Sequence, residues 1–174
     1  MVSETMKCLV RGLALLAFGF VLTGCSSKGR VVEHSFGFDI RRSVPAVEVL
    51  DYRYGISGLP GTRAPEWMVK EGKPGGADGI YGAITVGDFL YVKWRLKESG
   101  EVFEDNVDLR HRLPDDMKNQ RVYFDIKGPQ LYVYLISPER LPPGESNGLR
   151  IYWYYKMKVI YPDSGKQCES PRLS

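Results

Sequence analysis

From residue 31 onward, apolar side chains recur at every second position in one short run after another. Val31–Phe38 is the earliest. Val47, Val49 and Asp51 then alternate with Glu48, Leu50, Tyr52 and Tyr54. Leu90, Val92, Trp94 and Leu96 alternate with Tyr91, Lys93 and Arg95, and Phe103, Asp105, Val107 and Leu109 continue the rhythm. Val122, Phe124 and Ile126 come next, then Leu131, Val133 and Leu135, opposed by Tyr132, Tyr134 and Ile136. The longest set is the last: Leu149, Ile151, Trp153, Tyr155, Met157 and Val159. A period of two belongs to strands with one buried face, and the β-branched and aromatic residues that fill these runs suit a pleated, half-buried surface. Turn chemistry separates them at Glu98-Ser99-Gly100, Leu113-Pro114-Asp115-Asp116, Lys127-Gly128-Pro129 and Ser137 to Asn147. The pattern predicts an all-β fold, a mainly antiparallel β-sandwich or open barrel. After residue 25 there is no helical stripe of useful length and no repeat at a fixed period.

Two segments depart from alternation. Residues 55–82 are dense in glycine and proline, which predicts a long functional loop within the domain. Trp67 in its middle predicts at least partial docking, because a large aromatic gains most from burial. With Tyr81, it is a candidate partner-binding residue. The other departure is the continuous apolar run Leu13–Leu22, preceded by Lys7 and Arg11. Spanning a bilayer takes about 20 apolar residues, and the stretch from Gly12 to Gly24 falls short. A basic n-region, a short h-region and small residues ahead of a cut describe a secretory signal.

That run ends in Leu22-Thr23-Gly24-Cys25, followed by Ser26-Ser27, and so resembles a bacterial lipoprotein signal with its lipobox. The resemblance implies cleavage before Cys25, acylation of that cysteine and export. Ser26, where an aspartate would retain the protein at the inner membrane, implies the periplasmic side of the outer membrane. The expected layout is a signal peptide at 1–24, a tether at 25–30, a β-sandwich at 31–163 and a polar tail at 164–174. Met6 is an alternative start, since residues 1–5 add nothing a signal needs.

Composition narrows the function. Removing 24 of 174 residues leaves 150, enough for one domain with a single core. Lys7, Arg11 and Glu4 take a net +1 from the chain's +3, leaving +2. So even a balance, with no basic run interleaved with aromatics, gives no argument for nucleic acid. Of three cysteines, the resemblance implies that Cys8 departs with the signal and that Cys25 would be blocked by lipid. Cys168 is left without an intramolecular partner, so the core must hold the fold by itself.

Catalytic chemistry finds no foothold, and the expectation is that the protein is not an enzyme and uses no cofactor. Gly55-Ile56-Ser57-Gly58 resembles a nucleophile elbow only in part, because Leu59 stands where glycine is required and no helix follows. His34 and His111 lack an oriented partner in the sequence. There is no C-x-x-C, no H-x-x-x-H, no D-x-D-x-D-G loop and no phosphate-binding glycine motif. The remaining signals concern surfaces. Glu98, Glu101, Glu104, Asp105 and Asp108 surround the Gly100 turn, either as the solvated face of an edge hairpin or as an acidic patch for a basic partner. Tyr132, Tyr134, Tyr152 and Tyr154 would share one outer face, continued by Lys156 and Lys158, if the last two runs pair. They serve either as cross-strand sheet contacts or as a recognition surface.

The stretch Trp94-Arg95-Leu96 through Asp108-Leu109-Arg110-His111-Arg112-Leu113-Pro114, then Val122-Tyr123-Phe124-Asp125-Ile126, resembles small β-type lipoproteins of Gram-negative bacteria. Some of these are encoded beside type VI secretion phospholipase effectors and act as their immunity proteins. The likeness covers much of residues 83–160 and implies tight binding to a periplasmic phospholipase. It carries over no inhibitory residue. The alternative is a structural or assembly lipoprotein of the envelope or of a secretion apparatus.

Overall fold

The computed structural model describes residues 29–163 and the pair 172–173. Two sheets face each other across one main core, a β-sandwich. One sheet holds β1 (Val31–Asp39), β3 (Ala77–Thr85), β6 (Arg121–Lys127), β7 (Gln130–Arg140) and β8 (Tyr155–Tyr161), in the order β3-β1-β6-β7-β8. The other holds β2 (Val47–Tyr54), β4 (Phe89–Leu96), β5 (Val102–Asp108) and β9 (Arg172–Leu173), in the order β2-β4-β5-β9. Every strand pair is antiparallel except β1 with β6.

The period-two sets meet between the sheets. Phe36, Phe38, Val122, Phe124, Leu131 and Val133 come from the five-stranded sheet, and Val49, Tyr52, Tyr54, Leu90, Val92, Trp94 and Phe103 from the four-stranded one. Phe36 stacks on Tyr54 and Phe38 on Phe124, each with centroids 4.5 Å apart. Trp94 is fully buried, and its indole N–H donates to the Gly128 carbonyl at 3.0 Å. His34, also fully buried, is satisfied on both sides. Its Nδ1–H donates to the Val32 carbonyl at 2.9 Å, which leaves Nε2 to accept the Tyr54 hydroxyl at 3.0 Å. That hydroxyl in turn accepts the Gly87 N–H. This polar chain is closed, as a buried one must be.

Several expectations are corrected here. Residues 55–82 are not a loop: they contain the helix α1 (Glu66–Glu71) and most of β3. The glycines that suggested a loop are what brings β3 close to its neighbour. Gly79 lies opposite Gly37 on β1, and a Cβ on Gly79 would come within 2.9 Å of the Phe36 carbonyl oxygen. Within α1, Met68 takes the buried position and Trp67 stays 56 % exposed, against the expectation that Trp67 docks. The helix is too short to turn more of its side chains inward.

In β2 the alternation changes phase. Val49 pairs with Trp94 and Asp51 with Lys93, so Leu50 is an extra residue, and the core receives Tyr52 and Tyr54 rather than Asp51. A bulge of this kind inserts one residue and reverses the faces beyond it. In the last run only residues 155–161 form a strand. Its phase is also the reverse of the expected one, because Met157 and Val159 lie opposite Ile136 and Tyr134. Lys156 and Lys158 therefore do not continue the tyrosine face. The hairpin of β4 and β5 is likewise not an edge throughout, since β9 pairs with Val102 and Phe103.

Candidate functional site

On the outer face of the five-stranded sheet, Tyr123 of β6 and Tyr134 and Ile136 of β7 are buried although they point away from the main core. Their cover is the segment between β7 and β8, from which Leu149, Ile151 and Tyr152 pack over them, joined by Tyr155 at the start of β8. The segment holds its shape through Asn147. That side chain donates to the carbonyls of Tyr152 at 2.9 Å and Tyr155 at 2.8 Å, and it accepts the Leu149 N–H at 2.9 Å. The Asn147 backbone N–H adds a bond to the Trp153 carbonyl at 2.9 Å. Tyr152 has φ +62°, a left-handed conformation that costs an ordinary residue of order 1–3 kcal/mol. The Asn147 contacts hold it there.

The rings form a connected layer. Tyr134 stacks on Tyr132 with centroids 6.3 Å apart and on Tyr123 at 6.5 Å, and Tyr152 meets Tyr123 edge-on at 5.7 Å. Tyr154 lies at the margin, 4.5 Å from Tyr155 and 5.2 Å from Trp153, which is half exposed. Burial raises the hydroxyl pKa values of Tyr123 and Tyr134, so both remain neutral hydrogen-bonding groups at any physiological pH.

Next to this layer the surface drops. Across β1 and β3 the outward positions are Ser35, Gly37 and Gly79, and Tyr81 rises beyond them, 62 % exposed, its hydroxyl donating to Glu33 at 2.6 Å. The step leaves a cleft of about 450 Å³ between Tyr81 and Tyr152, and a smaller one of about 170 Å³ continues toward Tyr155. Arg121 lines both. Its guanidinium lies 4.5 Å above the Tyr152 ring, and among the described residues no carboxylate pairs with it. At one end, Asp39 accepts from Arg41 and pairs with Arg150, and these contacts hold its carboxyl far below the usual range. Asp78 takes the Tyr52 hydroxyl. Behind the layer, burial pushes the Asp125 carboxyl above its ordinary pKa.

The structure thus brings Tyr81, Tyr132, Tyr134, Tyr152 and Tyr154 to one face. It separates Glu104, in β5 of the opposite sheet, and Glu101, in the turn just before that strand. There Glu104 accepts the Tyr91 hydroxyl at 2.9 Å, while Glu101 takes the Ser99 hydroxyl at 3.1 Å. Asp108 is held by Arg110, and Asp105 accepts the Tyr161 hydroxyl at 2.6 Å. Trp67 belongs to neither group. The segment 55–82, expected to be free to enter a cleft, is built into the fold through buried Thr62, Ala64 and Met68. Cys25 and Cys168 lie outside the described residues.

Two residues of this face were missed in the sequence. Arg121 carries no signal beyond its place next to the Val122–Ile126 run, and Asn147 only closes the turn stretch that starts at Ser137. Asn147 had one local signal, the Asn-Gly pair with Gly148 that marks a turn. Among the described residues, no cluster of three or more His, Cys, Asp or Glu is placed to hold a metal ion, and no helix is long and apolar enough to cross a membrane. Compared with protein-family models, curated proteins and solved structures, the chain finds no match.

Proposed function

We propose that this chain is a membrane-anchored periplasmic binding protein, and specifically an immunity protein that binds and blocks a type VI secretion phospholipase. The observation that carries the binding reading is the outer face of the five-stranded sheet. Tyr81 stands exposed beside a cleft that contains Arg121, which no carboxylate pairs with among the described residues, and half-exposed Trp153 lies against Tyr154 at the margin of the tyrosine layer. Tyrosine, tryptophan and arginine are the residues that dominate binding hot spots. The phospholipase rests on the resemblance of residues 83–160, and the anchor on the lipobox at Cys25. An inhibitor held at the membrane meets a membrane-attacking enzyme at raised local concentration.

The test is protection. Cells that receive a phospholipase encoded beside this gene should survive when they express the full chain and lyse when they do not, and the two purified proteins should form a complex. Equal lysis with no complex overturns the immunity reading. A run of apparatus genes in place of the phospholipase favours the assembly role instead.

A further inference from the structure

Arg121 is half-buried, yet no acceptor among the described residues engages its guanidinium edge. Its guanidinium carbon lies over the Tyr152 ring, 4.5 Å from the centroid. A guanidinium held over a ring with its N–H groups unengaged is suited to a carboxylate, which takes two parallel hydrogen bonds. The acids nearby are engaged elsewhere: Asp39 with Arg41 and Arg150, Asp78 with the Tyr52 hydroxyl, and Glu33 with the Tyr81 hydroxyl.

We propose that the cleft between Tyr81 and Tyr152 takes an extended segment of a protein partner, with an aspartate or glutamate side chain of that segment pairing with Arg121. Three features fit this occupant. The floor, Gly37 and Gly79 in the larger cleft and Ser35 in the smaller, carries almost no side chain, so a main chain can lie close to the sheet. The walls are tyrosine rings, which present apolar area with polar tips. The trough is long, about 450 Å³ followed by a further 170 Å³ with Arg121 at the junction, far more space than a lone phosphate fills. Arg42, which no carboxylate pairs with among the described residues, lies beyond Asp39 and adds positive charge at one end. The inference rests on the protein-binding reading above and adds to it the site and the chemistry of the contact.

The probe is an end-blocked peptide of alternating tyrosine and glutamate, titrated into the purified full chain, beside the same peptide with glutamine for glutamate. The glutamate peptide should bind about tenfold more tightly, the scale of a hydrogen bond to a charged group. Arg121→Gln should erase the preference while the thermal midpoint stays near that of the wild type, and Arg121→Lys should restore only part of it. Equal binding of the two peptides, or a preference that survives in Arg121→Gln, overturns the proposal. So does inorganic phosphate or glycerophosphate competing at the peptide's own concentration, which would mark a small-anion or headgroup site. Phospholipase binding separates the two readings. Complex formation that Arg121→Gln leaves unchanged removes this cleft and spares the immunity role. A peptide preference that requires Arg121, with no complex formed by the wild type, does the reverse.

Discussion

His34 is the residue whose chemistry the fold changes most. An isolated sheet histidine offers no clue to its state. Here burial pushes its pKa below the ordinary 6.5, and the bonds to Val32 and Tyr54 hold the neutral ring in a single tautomer. The unfolded chain takes up a proton below about pH 6.5 while the folded chain resists it. The unfolded state then binds more protons, so stability is fully present above that pH and declines as pH falls through it. Urea midpoints measured from pH 7.5 down to 5.5 should fall for the wild type. They should start lower and stay flatter for His34→Gln, which cannot titrate. A wild-type midpoint independent of pH contradicts this account of His34. At this scale the sequence is legible for residues whose role is apolar burial, such as Trp94 or Phe103. It is much less so for His34 and Arg121, whose behaviour depends on partners about 20 and 30 residues away.

Among the elements, the strands were the most readable and their faces the least. Period two marks which residues share a face, but a one-residue bulge reverses the face without disturbing the composition. That is what happens at Leu50. β3 was hidden for a different reason. Glycine weakens a strand on average, so a strand holding Gly79 and Gly82 reads as a loop until the close approach to Gly37 is known. The segment over the outer face presents the opposite case, alternation without a strand. Residues 149–154 follow the period of two, yet Asn147 gathers them into a compact turn. Asn147→Ala removes three side-chain hydrogen bonds from a half-buried site, a cost of about 1–3 kcal/mol. Amide exchange at Leu149 and Tyr155 should speed up in this variant while the β4 and β5 amides keep their protection. Unchanged exchange at those two positions would show that the cover holds without Asn147.

At the scale of the whole molecule, the core closes within the described residues. The lipid that the lipobox resemblance implies at Cys25 would therefore decide where the protein resides rather than whether it folds. A single acyl chain holds a protein only marginally, whereas additional chains make the anchor firm. If the lipobox reading holds, Cys25→Ser should move the protein from the membrane pellet to the soluble fraction, with an unchanged circular dichroism spectrum. Persistence in the pellet would remove Cys25 from the anchoring. If the immunity reading holds, the same variant should keep its affinity for the phospholipase and protect cells less well.

The sequence by itself determined the class of fold and the position of most strands, because each depends on local pattern: alternation and turn residues. It also picked out the tyrosines of β7 and of the segment that follows as a group. Tertiary structure alone decided that Tyr81 joins that group and that Glu101, Glu104 and Trp67 do not. It also set Arg121 over Tyr152 at the junction of two clefts. The physical reason is that a face is shared along a strand by periodicity but across a sheet by strand order. Here strand order places β3 beside β1 and β1 beside β6, bringing together residues that lie tens of positions apart in the chain.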